Sequence, residues 1–155
     1  MSKRYFPAFL DSKGRVVMVA GGGRVAERRI RTLKMFDFDV TVVSTGLTSE
    51  LTAMAERDEF HFVQESFRPQ MAEDAYMVLA CTDDRDVNKS IGEYCRERGI
   101  LVNVCDAREE STFWFPAVAV NDQLTVGLVG SGDDHGETKR AAAGLREIVK
   151  GKAYR

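Results

Sequence analysis

Apolar positions along this chain recur with two alternating periods. Val16, Val17, Met18, Val19 and Ala20 make a short unbroken apolar run after Arg15, and a glycine triplet, Gly21-Gly22-Gly23, follows it. Beyond the glycines, Val25, Ala26, Ile30, Leu33 and Phe36 recur at spacings of one, three and four, with Arg24, Arg28, Arg29, Arg31 and Lys34 on the remaining faces. That pattern predicts a strand over Arg15–Ala20, a tight turn and a helix. Asp39–Ser44 reads as a second strand, whose near-continuous valines suit a parallel strand covered on both faces. The three elements make a βαβ unit of about 30 residues, the length a parallel crossover needs.

The alternation continues in weaker form. A helix is expected over Leu47–Glu56, strands over Phe60–Val63 and Tyr76–Cys81, a helix over Asp84–Arg98 and a strand over Ile100–Val104. Two β-rich runs, Phe113–Val120 and Leu124–Val129, flank Asn121-Asp122-Gln123 and predict a hairpin, and a last helix is expected over Glu137–Val149. The fold class is therefore α/β and Rossmann-like: a mostly parallel sheet flanked by helices, with a mixed edge, a C-terminal β-hairpin and a terminal helix. With 155 residues there is room for little beyond one domain. The expected division is a dinucleotide-binding domain over 1–112 and, over 113–155, a hairpin plus helix. No repeat or low-complexity segment interrupts the pattern.

Composition narrows the function classes. Lys and Arg total 22 against 24 Asp and Glu, a formal net charge of −2, so bulk charge gives no reason to expect a nucleic-acid partner. Neither Val16–Ala20 nor Tyr76–Cys81 approaches the ~20 apolar residues that span a bilayer, and the N-terminus shows no apolar leader run. No membrane partner is expected. Cys81, Cys95 and Cys105 form neither a CxxC pair nor an even disulfide framework, which points to a reducing cytoplasm. His61 and His135 lack metal-ligand spacing, so no metal site is expected. The nucleophile elbow of a Ser-His-Asp hydrolase is also missing from the sequence.

The chemistry-bearing signal is the glycine turn. Gly21, Gly23 and Ala26 fit GxGxxA between a predicted strand and a predicted helix. The first glycine permits the sharp turn, the second lets backbone approach a pyrophosphate, and the small third residue lets helix pack on strand. The phosphates would meet the helix N-terminus. The acidic residue that usually binds the ribose at the end of the second strand is replaced by Ser44-Thr45, while Asp39 sits at the wrong end of that strand. NAD and NADP are not separated by these residues.

Two further segments carry acids to strand ends. Tyr76–Cys81 leads into Thr82-Asp83-Asp84, where Thr82 and Asp83 are placed for a cofactor ribose and Asp83 or Asp84 for capping the next helix. Asn103-Val104-Cys105-Asp106 ends its strand in the same way, with Asp106 directed to the crevice beyond the sheet as a catalytic candidate or a turn former. Cys105 reads as a small buried residue, since no histidine lies near it in sequence.

Several collinear segments resemble precorrin-2 dehydrogenases, the siroheme-synthase N-terminal domain family. They are Tyr5-Phe6-Pro7, Lys13-Gly14-Arg15, GGGRVAERR (21–29), VTVVS (40–44), ACTDDRDVN (80–88), VNVCD (102–106) and STFWFPAVAV (111–120). The resemblance implies NAD as cofactor, with contacts at Gly21, Gly23, Arg24, Val25, Ser44, Thr45, Thr82 and Asp83. It implies oxidation of precorrin-2 to sirohydrochlorin, with Asp106 as the essential aspartate, and a homodimer in which 113–155 serves dimerisation and the substrate cleft. Some members also insert iron. The neutral Ser44-Thr45 agrees with the family pattern. Arg108, Lys139 and Arg140 are candidate partners for a polycarboxylate substrate, against a reading as solvated surface charges.

The chain departs from the family at Asp37-Phe38, at Arg108 where a proline is usual, and at Gly130–Gly136, where Asp133 and Asp134 enter a normally neutral glycine-rich loop. It reads as a short member lacking the family's usual C-terminal helical region. Competing readings are a non-catalytic NAD(H)-binding sensor or partner module, and a metal-handling protein using Asp106 and His135.

Overall fold

The computed structural model describes residues 5–131 and 135–152, and Asp133 and Asp134 lie outside them, as does the side chain of His135. The chain divides into two compact units, one of residues 11–114 and one of the described residues of 1–10 and 115–155.

In the larger unit, β1 (Val16–Ala20), β2 (Asp39–Val43), β3 (His61–Val63), β4 (Met77–Ala80) and β5 (Leu101–Val104) form one parallel sheet in the order β3-β2-β1-β4-β5. The valine-rich runs β1 and β2 become inner strands with Val17, Val19 and Val42 fully buried, all four residues of the inner β4 are buried, and Val102 of the outer β5 is fully so. That double-sided burial is what an unbroken apolar run predicts for a parallel strand. Helix α1 (Arg24–Leu33) buries Ala26, Ile30 and Leu33 of the stripe its periodicity foretold, while Val25 of that stripe is exposed. Phe36 leaves that stripe: the helix ends at Leu33 so the chain can turn into β2, and Phe36 pairs edge-on with Phe38 at 6.4 Å.

Local caps fix the other boundaries. Thr48 caps α2 (Ser49–Glu56) by accepting the Leu51 N–H at 3.2 Å. Asp84 caps α3 (Arg85–Arg98) by accepting the N–H groups of Asp86 and Val87, and Gly99 ends it at φ 69°. Both ends follow ordinary capping chemistry.

The expected mixed edge does not occur, because the hairpin pairs only with itself. β6 (Ala117–Val120) and β7 (Thr125–Leu128) form a separate two-stranded antiparallel sheet. The open edge of β5 is covered by the segment after it. Val104 N–H donates to Ser111 Oγ and Val102 N–H to Thr112 Oγ1, each at 2.8 Å, and Thr112 N–H returns to Val102 O at 2.8 Å. Hydroxyls thus take the place of a sixth strand and blunt the edge.

In the smaller unit, the Asn121 carboxamide accepts the N–H groups of Gln123 and Leu124 at 2.9 and 2.8 Å and closes the hairpin turn. Helix α4 (His135–Glu147) packs on the hairpin and buries Ala142. Among the described residues no helix is long and apolar enough to cross a membrane.

Candidate functional site

Strand order reverses between β1 and β4, and in an open α/β sheet the crevice beyond the carboxyl ends at that point is where ligands bind. The glycine turn sits there. Gly21 has φ +108°, and a Cβ on it would lie 2.5 Å from the Cys81 carbonyl oxygen, so only glycine lets the ends of β1 and β4 come this close. Gly21 N–H donates to Val43 O at 2.9 Å, and Thr48 N–H donates to Gly22 O at 3.0 Å. A Cβ on Gly22 would overlap the Gly46 carbonyl. Two of the three glycines therefore seat the turn against β4 and the β2–α2 loop.

Gly23 differs. A Cβ there would meet nothing within 4 Å, and Gly23 heads α1 without any side-chain cap. An open space at an uncapped helix N-terminus, over a fully buried Ala26, is the cradle a dinucleotide pyrophosphate requires. The residues present fit that group. Arg24 and Val25, in the first turn of α1, are exposed beside it.

At the end of β2, the Ser44 hydroxyl donates to Gly46 O at 2.7 Å and Thr45 is exposed. Asp39 opens β2 at its opposite end. An open groove of about 560 Å³ runs along α2 and β3 past Gly46, Leu47 and Gln64, lined by neither Thr82 nor Asp106.

The ends of β4 and β5 are joined through Asn88, which is 1% exposed. Its Oδ1 accepts from Thr82 N–H at 3.1 Å and from Thr82 Oγ1 at 2.7 Å. Its Nδ2 donates to Thr82 O and to Asp106 Oδ2, both at 3.0 Å. Every polar capacity of the amide is used, so the side chain cannot rotate without breaking bonds on both strands. Asp106 stays partly open to solvent, with Arg85 Nη1 3.6 Å from its other oxygen. Arg85 is anchored by Glu110, whose hydrogen bond raises the guanidinium's already high pKa.

Thr82 and Asp106 thus share one buried linker at the carboxyl edge of the sheet. Asp83 is exposed beside them, and Asp84 serves as the helix cap. Arg108 lies over the Trp114 ring at 5.9 Å, and Lys139 and Arg140 are exposed on α4 of the other unit. His61 is exposed on β3, and among the described residues no group of three acids, histidines or cysteines is placed to hold a metal.

Sequence reasoning assigned no role to Asn88, Gly22 or Arg85. Asn88 had a readable signal, since it shares the buried stripe of α3 with Ile91, Gly92 and Cys95, and a carboxamide on an apolar stripe needs partners. Nor was the meeting of Cys81 and Cys105 foreseen; their Sγ atoms lie 2.8 Å apart. The hydrogen bond from Cys81, together with the nearby Arg29 charge, lowers the Cys105 thiol pKa, while that same bond and burial raise Cys81.

Comparisons with known proteins agree with this architecture. A family model described as "Putative NAD(P)-binding" matches residues 8–117. The chain is 37% identical over 144 residues to a multifunctional siroheme biosynthesis protein of Ruminiclostridium josui, covering 92% of this chain and 28% of that protein. It is 34% identical over 128 residues to siroheme synthase 1 of Pectobacterium atrosepticum, covering 83% of this chain and 27% of the relative. It therefore spans about a quarter of the length of the curated relatives it matches. A solved structure titled SirC, precorrin-2 dehydrogenase, superposes with a TM-score of 0.78 at 22% identity, over 94% of this chain and 74% of that one. At that identity the likeness is one of fold.

Proposed function

The chain belongs to the NAD(P)-binding family whose model spans residues 8–117, and from that premise we propose that it is an NAD-dependent dehydrogenase converting precorrin-2 to sirohydrochlorin. The observation that carries the reading is the Asp106 carboxylate, fixed by buried Asn88 at the same sheet edge as Thr82 and the glycine turn. A site for a dinucleotide and an acid held beside it are what a dehydrogenation needs.

In this reading the backbone at Gly21 and Gly23 and the first turn at Arg24 and Val25 hold the pyrophosphate, while Ser44, Thr45, Thr82 and Asp83 border the riboses. The nicotinamide, when bound, supplies the hydride acceptor. Asp106 takes the proton that leaves the macrocycle or orients it through its pyrrole N–H groups. Asn88 keeps one carboxylate oxygen occupied and Arg85 lies 3.6 Å from the other, so in this reading the substrate meets Asp106 at its Arg85-facing oxygen. NAD rather than NADP is taken from the family resemblance, since Ser44 and Thr45 carry neither the ribose-binding acid nor a cation for a 2′-phosphate.

Residues 1–112 form the cofactor-binding part of this proposal and 113–155 the part serving dimerisation and the substrate cleft. A homodimer is supported by Val120, Leu124, Val129 and Ile148, apolar side chains exposed in the smaller unit. A cytoplasmic setting suits three free thiols.

Anaerobic incubation of the protein with precorrin-2 and NAD+ tests the reading, with sirohydrochlorin and NADH followed by absorbance. Stoichiometric appearance of both supports it. Binding of NAD without turnover overturns it in favour of a non-catalytic NAD(H)-binding module.

A further inference from the structure

Two nucleophilic side chains meet between the ends of β4 and β5, next to Thr82 and Asp106. Ala80 and Val104 are register partners on these parallel strands, so Cys81 and Cys105 are the next pair along, and Cys105 N–H donates to Ala80 O at 3.0 Å. Parallel neighbours lie about 4.8 Å apart, within the range of about 4.4–6.8 Å between Cα atoms that a disulfide spans. Both side chains leave the same face of the sheet, and their sulfurs already stand at 2.8 Å. The two are unequal in access: Cys81 is buried and Cys105 is partly exposed.

We infer that Cys81 and Cys105 are a modification site of their own, a dithiol that a peroxide oxidises to an intrachain disulfide and a dithiol reductant reopens. It goes beyond the dehydrogenase reading and does not depend on it. Cys105 is the entry point, being the more accessible sulfur and the one whose thiolate is favoured by Arg29 and the Cys81 hydrogen bond. Its thiolate attacks a peroxide oxygen; the O–O bond breaks, a sulfenic acid forms and water or an alcohol leaves. The Cys81 sulfur then attacks that of Cys105, the S–O bond breaks, and a second water carries off the oxygen and the Cys81 proton. Two thiols are oxidised and one peroxide is reduced. Cys95 takes no part: it is fully buried on α3, and burial raises its thiol to about 11.

Peptide mapping of the whole chain tests this. The reduced protein, freed of reductant, is treated with hydrogen peroxide, blocked with an alkylating agent and digested with trypsin without reduction. The expected result is the Cys81 peptide ending at Arg85 joined to the Cys105 peptide ending at Arg108, lighter by two hydrogens and separated again by dithiothreitol. Cys95 is recovered alkylated after denaturation. In Cys81→Ser, Cys105 is expected to stop at a sulfenic acid trapped by dimedone. Recovery of both thiols alkylated, bonds only between chains, or irreversible Cys105 oxidation in the wild-type protein would each overturn the inference. The wild-type map decides even if the serine variant fails to fold.

Discussion

Asn88 and Asp106 are bound to one another by an amide-to-carboxylate hydrogen bond of 3.0 Å, and the same amide closes on Thr82 through three more contacts. The carboxylate is thereby tied to the carboxyl end of β4. Asn88→Ala leaves Thr82 backbone groups unpaired in a buried setting, so a loss of about 2–4 kcal/mol in urea unfolding is expected. Asn88→Asp keeps the size but loses the donor and sets a second acid against Asp106. Like charge favours the protonated form, so the basic form is reached only at higher pH and the acid limb of the pH–rate profile moves upward. An unmoved profile in a folded Asn88→Asp protein would show that the two residues are not coupled.

The glycine triplet separates into two kinds of position, and alanine tells them apart. Gly22→Ala meets the Gly46 carbonyl, and a backbone neighbour cannot yield cheaply, so a lowered melting temperature is expected. Gly23→Ala meets nothing in the protein, and its φ of −85° suits any residue. Its stability should match wild type, while NAD affinity falls by roughly tenfold or more because the methyl group enters the pyrophosphate cradle. Calorimetry of NAD binding alongside a melting curve reads both, and retained affinity in Gly23→Ala would empty the cradle of its assigned role.

Burial raises the Cys95 thiol to about 11. The unfolded chain releases this proton near the ordinary thiol value while the folded chain keeps it, so stability is full below that value and declines as pH rises toward 11. The decline attributable to Cys95 is about 1–2 kcal/mol, discounted from the full linkage value. Urea unfolding at pH 8 and pH 10.5 should therefore show a smaller loss for Cys95→Ala than for wild type. Equal losses would mean the thiol is not held protonated.

The Ser111 hydroxyl occupies the outer edge of β5, where Val104 N–H donates to it at 2.8 Å and the residue is buried. Ser111→Ala leaves that donor without its acceptor, and a cost of about 1–3 kcal/mol is expected. Hydrogen exchange should locate the change at Val104; unaltered protection there would refute the assigned edge role.

Periodicity made the parallel core legible, because Val17, Val19 and Val42 are apolar whichever face they turn to, and α1 carries its buried stripe in sequence. Most strand and helix ends were legible to a residue or two, while β6 begins at Ala117, four residues after the expected Phe113. Caps such as Thr48 and Asp84 are set by side-chain geometry rather than by the apolar pattern. The hairpin itself was legible, but not that it forms a sheet of its own, since nothing in Phe113–Val120 marks which sheet it joins. Nor does the apolar pattern announce that Ser111 and Thr112 occupy the edge of β5 through their hydroxyls. In the site, glycine spacing indicated the turn but not which glycine faces open space. The Asn88 linkage joins residues six and eighteen apart, a closure that exists only once β4 and β5 are side by side.

In the proposed dehydrogenase, Asp106 carries the proton chemistry beside the dinucleotide. Turnover of precorrin-2 with NAD+, measured for wild type and Asp106→Asn with NAD affinity determined on the same samples, decides that role. The asparagine keeps the shape of the side chain and removes its basicity. Turnover should fall by about 10²-fold or more while NAD affinity stays within roughly twofold. Equal turnover by the two proteins would show that Asp106 does not carry the chemistry.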